Sequence, residues 1–205
     1  RRHTRYISVT GVQTCALPIS YEILSKAKGI KINSKNADKG IAGKKVEELL
    51  GLKASSKQLD FSNGELKTIT LNNKGSVKED LKIARKWDKD YIKQKLESIL
   101  LVIKNPNDII EDVKLIKILD NKVYSKYFDI EFDKIMHIGL DNISQSDTIV
   151  WVAKTNDTGK KEKNARAFYL SRQFLSAALG YPFSARKPEA KKIYEELNES
   201  SKERY

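Results

Sequence analysis

Residues 60–71 read Asp60-Phe61-Ser62-Asn63-Gly64-Glu65-Leu66-Lys67-Thr68-Ile69-Thr70-Leu71. Ser62-Asn63-Gly64 carries the chemistry of a tight turn, because Ser and Asn side chains bond the nearby backbone and Gly admits a positive φ. From Glu65 onward polar and apolar residues alternate, the period of a strand with one buried face. Side chains two apart on a strand share a face, so Glu65 and Lys67 stand together while Leu66 enters the core. The turn brings Asp60 back toward them. Two carboxylates beside an ammonium suit phosphodiester hydrolysis. Magnesium takes hard oxygen ligands and keeps several waters, which makes Asp60 and Glu65 candidate metal ligands. Lys67 can position or help deprotonate a water and can neutralise charge on the scissile phosphate. Acids and lysines abound in this chain, so the same residues also describe a solvated hairpin.

One helix precedes the hairpin. Asp38 is a fitting N-cap; Ala42, Val46, Leu49 and Leu50 recur at helical spacing; Gly51 sits where a C-cap belongs. This stripe leaves Glu47 at the edge of the buried face, able to look toward the hairpin, and Glu48 opposite. Both also read as ordinary helix-surface charges.

Farther out, residues 21–30 suggest a short helix, 88–96 another, and Ile99–Ile103 an apolar strand. Asn105-Pro106-Asn107 breaks the chain, and Val113–Leu119 reads as a strand. Tyr124, Phe128, Phe132 and Ile135 fall on one face of a helix. Thr148–Val152 is a strand, 154–164 a polar basic loop, and Phe168-Tyr169-Leu170 a short strand. Phe174, Leu175, Ala178 and Leu179 give a helix ending at Gly180. Residues 187–205 form a charged tail, a frayed helix at most. Strands and helices interleave without repeats, so residues 21–186 make one α/β domain with a mixed central sheet flanked by helices.

The 205 residues carry a net charge of +12 with 32% charged and 40% hydrophobic side chains. That is a soluble, globular composition whose basic excess suits a polyanionic partner, nucleic acid or an anionic membrane surface. Cys15 is the single cysteine, and His3 and His137 are the two histidines. Structural zinc and a disulfide framework are thereby excluded, as a reducing cytoplasm would have it. Any Ser-His or Cys-His mechanism would rest on His137, which reads as a structural histidine inside an apolar helix. Residues 1–20 contain no Lys, Asp, Glu or Asn, and the composition switches abruptly at Tyr21. The block resembles a translated sequencing adapter more than a secretory signal, whose apolar core Thr10, Gly11, Gln13 and Thr14 would interrupt. On that reading the natural start is missing, and without the block the charge is still +9.

Taken together, Asp38-Lys39-Gly40, Gly43, Glu47, Gly51, Ser56-Lys57, Asp60-Phe61 and Gly64-Glu65-Leu66-Lys67-Thr68-Ile69 resemble the MutH family. These are PD-(D/E)xK nucleases comprising a mismatch-repair strand-nicking enzyme and related type II restriction endonucleases that cut at GATC. Tyr91-Ile92-Lys93-Gln94-Lys95-Leu96 resembles the family's basic helix, and Arg166-Ala167-Phe168-Tyr169-Leu170 with Phe174 and Ser176-Ala177 its C-terminal strand and helix. The resemblance spans roughly residues 21–180 and implies a restriction-endonuclease-like core. It implies Asp60, Glu65 and Lys67 as the metal-binding and catalytic set, with Glu47 as a supporting acid and Lys95 approaching the active site. It implies Lys39 and Lys93 on DNA, and Tyr169, with Arg166 on the same strand, near the recognised bases. The family reads bases from a loop that here opens at Lys154-Thr155-Asn156, where an Arg-Pro-Lys-like stretch is expected. This departs from the pattern, as does the short gap between Asp60 and Glu65.

The resulting expectation is a cytoplasmic, Mg²⁺-dependent endonuclease acting on double-stranded DNA at or near GATC. The Lys-, Asn- and Ile-rich composition of an AT-rich genome favours a restriction enzyme over a nickase that works with mismatch-repair proteins. A homodimer, or a second domain missing from this chain, is compatible with either. The rivals are a catalytically dead DNA-binding module and a basic membrane-surface protein. The latter is disfavoured because no basic helix has a strong apolar face.

Overall fold

The computed structural model describes residues 17–32, 41–50, 64–140, 142–143, 148, 151–155, 166–185 and 187–202. Its elements, in chain order, are α1 (Leu17–Ser25), α2 (Ile41–Leu49), β1 (Glu65–Thr70), β2 (Leu81–Ala84), α3 (Lys89–Glu97), β3 (Ile99–Lys104), β4 (Ile110–Ile116), α4 (Lys122–Ile138), β5 (Trp151–Thr155), β6 (Arg166–Leu170), α5 (Arg172–Ala178) and α6 (Pro188–Lys202). The chain is mixed α/β, as its alternating patterns predict.

The expected central sheet is two three-stranded sheets among the described residues. The first is mixed, in the order β1-β3-β4, with β1 parallel and β4 antiparallel to β3. The second is antiparallel, in the order β2-β6-β5. All six residues of β3 are buried, as its unbroken run Ile99-Leu100-Leu101-Val102-Ile103 requires of a strand covered on both faces. On one face Ile69, Ile99, Leu101 and Ile103 join Ile92, Leu96, Phe128 and Phe168 in the larger apolar cluster. On the other, Leu66, Leu100, Val102 and Val113 pack with Leu24 of α1 and Val46 of α2. The first sheet is therefore the middle layer. Helices α1 and α2 lie on one side, and α3, α4 and the second sheet on the other.

Several sequence boundaries shift. The strand expected at Val113–Leu119 begins at Ile110 and gives way to a 3-10 turn over Ile118–Asp120. The strand expected at Thr148–Val152 runs over Trp151–Thr155 instead. Strand β2 is marked in the sequence only by Leu81 and Ile83, between charged neighbours. Leu49, expected in the buried stripe of α2, is 42% exposed, while Val46 and Leu50 are buried. Asp38 and Gly51, the expected caps of that helix, lie outside the described residues. Helix α1 starts at Leu17, inside the compositionally foreign block, and its Ser20 is fully buried.

Beyond residue 186 the charged stretch is a helix packed on the body. Ala190, Ile193, Tyr194 and Leu197 of α6 belong to the larger cluster, and Asn198 donates to the Ala177 carbonyl of α5 at 3.4 Å. Helix α4 buries Tyr124, Phe128, Phe132 and Ile135, the predicted face, with Asn121 capping its N-terminus. His137 is exposed in the last turn of α4. No helix among the described residues is long and apolar enough to cross a membrane.

Candidate functional site

Glu65 opens β1 and is 2% exposed. Its N–H donates to the Ser98 carbonyl at 3.0 Å. It pairs in register with Ile99, and Lys67 with Leu101. Because those partners face the larger cluster, Glu65 and Lys67 project on the α3 side of the sheet. Leu66 projects the other way, as the alternation demanded.

Two ammonium groups close on this carboxylate. Lys67 Nζ donates to Glu65 Oε2 at 2.5 Å, and Lys95 Nζ donates to Glu65 Oε1. Lys95 comes from the last turn of α3, which Asp88 caps by accepting the Tyr91 N–H at 2.9 Å. The Lys95 ammonium also lies 5.2 Å from the centre of the Tyr91 ring, one turn earlier. Burying a lone carboxylate is costly, and this one is held by two charge-assisted hydrogen bonds instead. Formal charges of −1, +1 and +1 leave the trio net positive. Lys95 is the inner member at 10% side-chain exposure, and Lys67 the outer one at 20%. With Lys67 as its more exposed member, the site presents an ammonium at its mouth, which suits a phosphate.

The trio is a weaker match for magnesium on its own. Both oxygens of Glu65 are engaged by ammonium groups. Among the described residues no three His, Cys, Asp or Glu side chains are grouped to hold a metal ion. Asp60, the expected second ligand, lies outside the described residues, as do Lys39 and Asn156. The described residues alone therefore do not make a magnesium site.

Glu47 is half-buried on α2. Its neighbours Val46 and Leu50 pack with Leu66, so α2 covers the sheet face opposite to Glu65 and Lys67.

The expected DNA contacts are spread differently. Lys93 pairs with Asp129 of α4 at 3.2 Å and lies 5.6 Å from the centre of the Phe128 ring. It belongs to an interhelical network in which Lys89 also meets Asp129 and Asp133, at 3.0 and 2.9 Å. Burial pushes the Asp129 carboxyl up, but its hydrogen bonds from Lys89 and Lys93 together hold it below the usual carboxylate value. Lys154 and Thr155 close strand β5, opposite Ala167 and Arg166, instead of opening a loop. Arg166 begins β6. Tyr169, half-buried on β6, stands between Val152 of β5 and Lys82 of β2. Lys82 was not singled out in the sequence. The signal was present only as the alternation Leu81-Lys82-Ile83, too short to stand out among so many lysines. No protein-family model matches the chain, and neither does any curated protein sequence.

Proposed function

We propose that the chain is a Mg²⁺-dependent DNA endonuclease of MutH-like type, hydrolysing phosphodiester bonds at or near GATC. The observation that carries this reading is the convergence of Glu65 and Lys67 from one strand with Lys95 from a separate helix. The resemblance implied those three residues in those roles, and a solvated hairpin would have left Glu65 exposed. In this reading Lys95 is the fixed counter-ion that orients Glu65. Lys67 turns its ammonium from Glu65 Oε2 to a non-bridging phosphate oxygen, where charge builds during in-line attack. Oε2 is then open to accept a hydrogen bond from the attacking water. Magnesium, where bound, would supply Lewis-acid stabilisation and a more acidic water, and it requires Asp60 to join Glu65. Composition favours a restriction enzyme over a mismatch-repair nickase.

A second reading, a DNA-binding module without catalysis, is favoured by one observation: both Glu65 oxygens are already taken by ammonium groups. Incubation of methylated and unmethylated plasmid with Mg²⁺, followed by end mapping, separates the two. The nuclease reading expects ends at GATC. Ends elsewhere reject the site specificity, and retention of intact plasmid bound to folded protein selects the binding module.

A further inference from the structure

We infer that Lys82, with Arg85 and Tyr169, seats a backbone phosphate of duplex DNA at a contact patch on the second sheet, separate from the Glu65 trio. The inference rests on the DNA-binding part of the proposed function. It does not require that the chain cuts.

The register of β2 against β6 sets Leu81 opposite Leu170 and Lys82 opposite Tyr169. Paired residues of an antiparallel ladder share a face. Leu81 and Leu170 belong to the larger core cluster, as does Phe168 next to Tyr169. Lys82 and Tyr169 therefore stand together on the opposite face, and neither belongs to an apolar cluster. Tyr169 in turn pairs with Val152 of β5. The patch thus spans β2 and the middle strand β6, with the aromatic side chain on β6.

Arg85 follows the β-bulge between Lys82 and Ala84 and is exposed. Burial, and then the positive charge of Arg85, hold the Lys82 ammonium below its ordinary value. Lys82 is half-buried and feels the like charge of the exposed Arg85, a cost that a phosphate brought to them would reduce. A phosphate meets both: the guanidinium offers a fork to its oxygens and the ammonium a point charge. Tyr169, paired with Lys82 on the same face, puts an aromatic residue next to the cation, where it can pack beside the adjoining sugar. Helix α3 carries Lys95 into the Glu65 trio and starts five residues after Ala84, the end of β2. The patch and the trio are thus joined through one short helix.

The experiment measures binding of a short fluorescent GATC duplex across a range of KCl concentrations, with calcium in place of magnesium. The full chain is compared with Lys82→Gln, Lys82→Arg and Lys191→Gln. Lys191 is an exposed α6 residue near Glu195. Lys82→Gln is expected to bind about tenfold more weakly, with the log–log salt slope shallower by about 0.9, one phosphate contact's worth. Lys82→Arg is expected to stay within about twofold of the parent, and Lys191→Gln to match it. Equal binding by Lys82→Gln, or an equal loss in Lys191→Gln, overturns the patch while leaving the endonuclease reading intact. A Lys82-dependent affinity in a protein that leaves plasmid uncut does the reverse. A parent chain that binds no duplex overturns both.

Discussion

Lys95 and Glu65 lie thirty residues apart in the chain, on α3 and β1, yet the ammonium of one donates to Oε1 of the other. Both are buried. Since only Ser98 separates α3 from β3, and β3 is the parallel neighbour of β1, the last turn of α3 is delivered to the start of β1. The pairing is a consequence of the strand order rather than of local sequence.

The three members of the trio should therefore differ in their cost to stability. Glu65→Ala leaves two ammonium groups facing each other, one of them deeply buried, and is expected to cost about 3–5 kcal/mol. Lys67→Ala removes the outer cation and leaves the carboxylate paired with Lys95, for about 1 kcal/mol or less. Urea unfolding of the two variants measures this. Equal midpoints would mean that Glu65 is not the centre of the cluster.

Helices α3 and α4 are linked by Lys89 and Lys93 around Asp129. Asp129 has a folded-state value below the ordinary 3.8. A depressed carboxylate contributes stability that is present above the unfolded value and lost as pH falls through the folded one. Asp129 is 44% exposed, so the contribution is small, below about 1 kcal/mol after solvent screening. Asp129→Asn should be slightly less stable than the parent at neutral pH, and the gap should close as pH drops below 3.8. A gap that persists in acid would assign the loss to packing.

What the sequence made legible was periodic. The alternation from Glu65 to Leu71 located β1 and its two faces, and the spacing of Tyr124, Phe128, Phe132 and Ile135 located α4. Asn121, which the structure shows capping α4, was not read from the sequence. Features set by tertiary contact stayed hidden. Leu49 fits the apolar stripe of α2 but faces outward, because only Val46 and Leu50 have Leu66 to pack on. Helix α6 looked like a charged tail because its buried residues are spaced among seven charges, and nothing local shows that α5 will cover them. For the site, Glu65 and Lys67 were readable from a two-residue spacing. Lys95 needed the family pattern, since no periodicity joins a helix to a strand thirty residues away. Lys93 sits in the same basic helix as Lys95, yet faces Asp129 instead.

Ser176 of α5 is fully buried and doubly bonded. Its hydroxyl accepts the Val77 N–H at 3.0 Å and donates to the Arg172 carbonyl at 2.8 Å. Ser176→Ala strands the Val77 N–H in the core, at a cost of about 1–3 kcal/mol. Ser176→Thr would keep the oxygen but crowd a packed site. Thermal unfolding and hydrogen exchange at Val77 check the claim, and unchanged exchange protection would contradict it.

Lys82 gives an opposite expectation. Its depressed value means that the folded state disfavours its charge at neutral pH. In the free protein, Lys82→Gln should leave the melting temperature unchanged or raised even as it weakens DNA binding, the trade expected where a group serves a ligand rather than the fold. A clear fall in melting temperature would mark Lys82 as structural.

The most direct measurement is single-turnover cleavage of a GATC duplex in Mg²⁺ by the parent, Lys67→Ala and Glu65→Gln, with duplex binding followed in parallel. The account predicts cleavage by the parent, at least about a hundredfold slower cleavage in each variant, and binding within a few-fold of the parent. Variants that cut as fast as the parent while folded would place the chemistry elsewhere and contradict it.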